Sequence, residues 1–115
     1  FKIVLQHVSE AWKVADEIAR AKAPASIILI DSPGGKLETM DIDFRNGAVL
    51  EKAGALVGFH TDDYITDSRH FLRSAGLAVR AGMSRDKALY GFTMDGAIML
   101  ELQNRGCHNI GFVSP

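Results

Sequence analysis

Apolar and polar residues alternate over the first seven positions, with Phe1, Ile3, Leu5 and His7 on one side and Lys2, Val4 and Gln6 on the other. Successive strand side chains point to opposite faces, so this pattern predicts a strand whose apolar face is closed by His7. Ser9 is placed to cap a following helix, in which Ala11, Trp12, Val14, Ala15, Ile18 and Ala19 recur at spacings of three and four, with Glu10 near the positive end. Trp12 falls on the side expected to face the sheet. Ala23-Pro24 stops the helix, and residues 25–30 form an Ile-rich run of the kind found in strands covered on both faces, ending at Asp31. A third run, Ala55-Leu56-Val57-Gly58-Phe59, is bounded by Gly54 and by the polar cluster His60-Thr61-Asp62-Asp63, and predicts another buried strand.

Helical patterns fill the intervals. Ser32-Pro33-Gly34-Gly35 is a turn, and the stretch to Asn46 is loop-like, its Met40, Ile42 and Phe44 expected to fold over or under a ligand site. A short helix over 48–53 closes at Gly54, which supplies a left-handed cap. After the third strand, Thr66 or Asp67 caps a helix with an apolar stripe of Phe71, Leu72, Ala75, Ala78 and Val79, ending at Gly82. Ser84 caps a helix through Tyr90, and Thr93 another through Gln103. Strands beginning near 1, 25 and 55 repeat every ~25 to 30 residues, the spacing of parallel strands joined by right-handed crossovers. The predicted fold is therefore α/β, in the order βαβαβα.

Parallel connection gathers the strand ends along one edge, where sheets of this class bind ligands. That edge carries His7, Asp31, and the pair His60 and Asp62, which share a face if the third strand persists, while Thr61 and Asp63 face the other way. Each has a blander reading. A histidine near a strand end is often simply hydrogen-bonded, Asp62 could be an ordinary loop-start aspartate, and Asp31-Ser32-Pro33-Gly34 makes a good turn. Asp63 suits a turn cap, and His70 a helix surface. Gly34-Gly35-Lys36 invites a phosphate-loop reading, but Ile30 stands where the earlier glycine belongs and Leu37 where a Ser or Thr belongs.

Composition narrows the classes. At 115 residues, 47% hydrophobic and 23% charged, the chain has the size and balance of one ordinary globular domain. A net charge of −1 argues against nucleic acid and anionic membrane as partners. No apolar run approaches the ~20 residues of a membrane span, and no signal-peptide pattern opens the chain, so a soluble, cytoplasmic protein is expected. The single Cys107 cannot form an internal disulfide, and its neighbour His108 does not make a metal-ligand spacing with it.

Thr61-Asp62, the short loop after it and the sequence over 71–89 resemble the eighth strand and helix of the metal-dependent amidohydrolases, in particular the imidazolonepropionase-like branch. Leu5-Gln6-His7-Val8-Ser9-Glu10-Ala11 resembles the sixth strand of that family, with its metal-binding histidine. The likeness covers residues 1–105; residues 106–115 depart from it. It implies a partial TIM (β/α)8 barrel, about three consecutive βα units plus C-terminal helices, taken from an enzyme that hydrolyses C–N bonds of cyclic or linear amides with a divalent metal, zinc. By the same resemblance His7 and Asp62 bind metal, and Asp62 takes a proton from the attacking water and passes it to the leaving nitrogen. His60 would then orient Asp62 or contact substrate, and Asp31 would contact substrate.

The family's His-x-His pair is missing, since the histidines are His7, His60, His70 and His108. With Phe1 to Leu5 already reading as a buried strand, a fragment that is inactive alone is expected. The unpaired edges of its first and third strands would favour a homo-oligomer. Two rival classes stay open: a small anion-binding α/β module using Gly34, Gly35 and Lys36, and an inert structural fragment.

Overall fold

A computed structural model describes residues 3–30, 37–63, 66–102 and 104. Strands β1 (Leu5–Gln6), β2 (Ala25–Ile27) and β3 (Val57–Phe59) form one parallel sheet in the order β1-β2-β3. Leu5 pairs with Ala25 and Ala25 with Val57, while Gln6 pairs with Ser26 and Ser26 with Gly58. One face of the sheet thus carries Leu5, Ala25 and Val57, and the other Gln6, Ser26 and Gly58. The first crossover contains α1 (Ala15–Arg20) and the second α2 (Asn46–Ala53); β3 is followed by α3 (Phe71–Arg80), α4 (Arg85–Phe92) and α5 (Met94–Met99). No helix among the described residues is long and apolar enough to cross a membrane.

The strands are shorter than the apolar runs that predict them. β1 ends because His7 adopts a left-handed backbone (φ 60°), which a strand cannot continue through. β2 stops pairing at Ile27, although Ile28 and Leu29 remain buried at 1% exposure, so burial outlasts the ladder there. The core is built from Ala25, Ile27 and Leu29 of the central segment, with Leu50 from α2, Ala75 and Ala78 from α3, Ala88 from α4, and Val57 and Phe59. Each fully buried Ile or Leu contributes about 1.5–3 kcal/mol relative to an exposed one.

Three helix caps fall where the sequence predicts them. Gly54 is left-handed (φ 85°) behind α2, Ser84 Oγ accepts from the Lys87 N–H ahead of α4, and Asp67 accepts from the Arg69 N–H at the turn that leads into α3. Ser9 is not the capping residue of the first helix, which opens instead with a 3₁₀ turn, Ala11–Val14, whose capping position is Glu10, and the Glu10 side chain makes no capping bond to that turn. Thr93 does not cap α5 either, because its hydroxyl donates back to the Leu89 carbonyl at 2.8 Å. Leu72 and Val79 leave the expected stripe and are exposed, so Ala75 and Ala78, with the partly buried Phe71, carry the α3 contact.

Trp12 is only half-buried, and the hydrogen bond it makes is to the segment before α2. The indole N–H donates to the Asp41 carbonyl at 3.1 Å, Lys13 bridges Glu10 and Asp41, and the Asp41 N–H donates to Glu10 at 3.2 Å. These bonds strap the segment after residue 37 to the start of α1, while Met40 and Phe44 stay exposed.

Gly91 lets α4 lie directly on β3. A Cβ built there would stand 2.7 Å from the Val57 carbonyl oxygen and 3.1 Å from the Phe59 ring. Alanine ordinarily strengthens a helix over glycine by roughly 0.5–1 kcal/mol, but a clash against backbone outweighs that gain. Gly91→Ala is expected to destabilise the protein by about 1–2 kcal/mol in urea unfolding. A variant as stable as the parent would show that α4 can lift off the strand without loss.

Candidate active site

The site is built where β1 and β3 end. His60 follows β3 directly, and its N–H donates to the Ile27 carbonyl at 3.1 Å, extending the ladder by one bond and fixing the residue over β2. Because Gly58 is in register with Ser26, His60, two residues further on, shares a face with both. Its Nδ1 lies 2.9 Å from Ser26 Oγ.

His7 reaches the same place by a different route. Regular alternation would put it on the Leu5 face, opposite His60, and the left-handed backbone at His7 breaks that alternation. The turn is held by Ser9 N–H to the His7 carbonyl (3.0 Å) and by Val8 N–H to the Ser26 carbonyl (3.5 Å). It is also held from behind. Asn46, at the start of α2 and 0% exposed, donates through Nδ2 to the Val8 and Ser9 carbonyls at 2.9 and 3.1 Å. The result is His7 Nδ1 at 3.5 Å from His60 Nε2, with ring centroids 5.4 Å apart and planes tilted by 49°. A row of Ser26, His60 and His7 therefore spans all three strands.

Asp62 is half-buried in the loop beyond His60, and its carbonyl accepts the Thr66 N–H at 2.8 Å. Thr66 is itself buried and donates its hydroxyl to the Ile30 carbonyl at 2.5 Å, so the loop after β3 is pinned to the segment that follows β2. Asp67 and Arg69 form an exposed ion pair just beyond. The Arg69 guanidinium and backbone N–H hold the Asp67 carboxyl down at about 2. Asp63 is exposed and accepts from Ser68 Oγ at 3.3 Å, as suits a turn cap, and His70 is exposed.

Among the described residues, no three His, Cys, Asp or Glu side chains converge as a metal-holding group, so Asp62 does not close a three-donor cluster with His7 and His60. Asp31, the phosphate-loop candidates Gly34, Gly35 and Lys36, and residues 106–115 lie outside the described residues. Ser26 is the site residue that the sequence does not flag. It sits inside an apolar run, and only its register opposite Gly58, two residues before His60, marks it.

Against solved structures, the whole chain superposes on part of an amidohydrolase from Thermotoga maritima with a TM-score of 0.83, at 27% identity, covering 100% of this chain and 29% of that one. The fold is that of part of an amidohydrolase barrel. The three parallel strands and their helices thus correspond to a fragment of a TIM barrel, and the strand ends that carry His7, His60 and Asp62 are the ends at which such barrels hold their active sites. No family model matches the sequence, and no curated protein does. The chain spans less than a third of the length of the structure it matches.

Proposed function

We propose that residues 1–105 are the C-terminal portion, strands six to eight, of a metal-dependent amidohydrolase barrel of the imidazolonepropionase-like kind, acting on the C–N bond of a cyclic or linear amide. The observation that carries this reading is the placement of His7 and Asp62 at the ends of the outer strands of a sheet that superposes on an amidohydrolase. The donor chemistry fits a zinc-type cation: neutral imidazole nitrogen and carboxylate are both ordinary zinc ligands. His7 and Asp62 would hold it, with the remaining donors supplied by other strands of the barrel. When bound, such an ion supplies Lewis acidity to the scissile carbonyl and makes the attacking water easier to deprotonate.

The chain's own residues do the rest. The Asp62 carboxylate takes the proton from water and returns it to the departing nitrogen, which otherwise leaves as an unstable amide anion. Thr66, by fixing the loop to Ile30, keeps that carboxylate at the strand ends. The substrate is a small molecule entering from the same side. The β1 edge, where Ile3 and Val4 are exposed, is where a neighbouring strand of the barrel or of a second copy would pair.

The reading is tested with a protein that carries this chain within a complete barrel, assayed on a panel of lactams, hydantoins and linear amides. Turnover that disappears with a chelator and returns with zinc is expected, and the 115-residue chain alone should hydrolyse none of the panel above buffer. Hydrolysis that survives exhaustive chelation would overturn it.

A further inference from the structure

We infer that α4 and α5 form a cover, in cis, over the outer edge of β3, and that this contact stops a second copy of the chain from adding its β1 strand there. The cover governs assembly and holds whatever chemistry the strand ends perform.

The direction of the backbone groups carries the argument. In a parallel ladder, alternate residues of a strand turn both N–H and C=O toward one neighbour, and the residues between them turn theirs the other way. The Ala25 N–H donates to the Leu56 carbonyl at 2.9 Å, and the His60 N–H to the Ile27 carbonyl at 3.1 Å. Residues 56, 58 and 60 therefore face β2. Val57 and Phe59 face away from it, and β3 is the last strand of the sheet. Their outward groups are the ones that a further strand would use.

α4 already stands at that place. The Cβ built on Gly91 lies 2.7 Å from the Val57 carbonyl oxygen and 3.1 Å from the Phe59 ring, and the Gly91 carbonyl oxygen is 3.6 Å from the Cβ built on Gly58. Gly58 and Phe59 present opposite faces, so one residue of α4 touches both sides of β3 and the edge between them. A helix resting on one face of a sheet would meet only one of the two. On the Gly58 side α5 adds Met99, which is buried and brings its Cε and Sδ to 3.1 and 3.2 Å from the same built Cβ. A paired strand would run about 4.7–4.9 Å from β3, and the Gly91 backbone fills that space.

The two edges of the sheet are thus unlike. β1 bounds the other side, and Ile3 and Val4 beside it are exposed. With both edges open, β1 of one copy would join β3 of the next, a head-to-tail contact that repeats without limit. With β3 covered, edge pairing is left to β1 against β1, which closes at two copies about a two-fold axis. Covering an edge with a helix is one of the ways in which sheets avoid unlimited growth.

The test is residue-resolved hydrogen exchange of the purified 115-residue chain, read by NMR, with light scattering on the same sample. The Gly58 and His60 amides face β2 and serve as internal controls. Although no strand lies beside them, the Val57 and Phe59 amides are expected to exchange at least about 30-fold more slowly than in an unprotected chain, and scattering should show no species larger than a dimer. In Gly91→Leu, whose side chain cannot fit against the Val57 carbonyl, those two amides should speed up at least about 10-fold while Gly58 and His60 change by less than about threefold, and assemblies beyond a dimer should grow with concentration. Val57 and Phe59 amides that exchange at the free-chain rate in the parent while Gly58 and His60 stay slow would overturn the cover, as would growth of the parent beyond two copies. So would a folded Gly91→Leu chain that keeps both outward amides slow. Where the variant unfolds, all four amides speed up together, and the parent's pattern decides alone.

Discussion

In a complete barrel, Asp62→Asn is expected to fold normally and to lose turnover by roughly 10²–10⁴-fold. The amide keeps the shape and the half-buried position of the carboxylate but cannot accept a proton, so the step that fails is deprotonation of water and reprotonation of the leaving nitrogen. The loss should appear in kcat more than in KM, because the interaction matters chiefly in the transition state. Activity within about threefold of the parent would exclude Asp62 as the base. Thermal unfolding of the same variant separates chemistry from stability, since the Thr66 bonds to the Asp62 and Ile30 carbonyls involve no atom that the substitution changes.

The second large effect is structural. Asn46→Ala should cost about 2 kcal/mol, because it removes two hydrogen bonds, takes the Nδ2 donor from the Ser9 carbonyl in a buried setting, and leaves the Val8 carbonyl only the Ala11 N–H at 3.3 Å. Asn46→Asp should cost more. It puts a carboxylate with no donor against two carbonyl oxygens at a position that is 0% exposed, and a buried charge of this kind is either expensive or forced to protonate. The Asp variant should therefore recover part of its loss as pH falls, when its raised pKa lets the proton bind, while the Ala variant should not. An Asn46→Ala variant as stable as the parent at neutral pH would show that the Nδ2 bonds are dispensable. Because those bonds sit directly behind the His7 turn, both variants should also loosen the imidazole pair before the sheet itself yields.

The comparison of sequence with structure divides along physical lines. The parallel order and the shared edge were legible because apolar runs near 5, 25 and 57 can be buried together only in one sheet, and helical patterns separate them. Gly54 and Ser84 were legible because capping is decided within a few residues. Strand length was not, since pairing stops where the neighbour's register runs out, and that is a property of two segments. Trp12 misled because its large apolar ring outweighed its N–H, which found the Asp41 carbonyl twenty-nine residues away. Leu72 and Val79 misled for a related reason: the α3 stripe is wider than the surface available to it, so Ala75 and Ala78 are buried and Phe71 partly covered while Leu72 and Val79 stay exposed. Within the site, His7, His60 and Asp62 could be picked out from their place at strand ends. Their mutual arrangement could not, because it depends on the left-handed turn at His7 and on Ser26, and neither has a signature in a single chain.

The contact between His60 and His7 closes across 53 residues, and that between Ser26 and His60 across 34. Contacts so distant along the chain form only after the loop entropy of both crossovers has been met, so the ring pair should be among the last features to assemble during folding. Its formation also depends on every strand being in register, because a slip of one residue would carry Ser26 to the opposite side of the sheet. The dyad is thus a reporter of complete, correctly registered folding, and the helices can be native-like while it is still unmade. In stopped-flow refolding, a signal from these imidazoles should lag behind far-ultraviolet ellipticity.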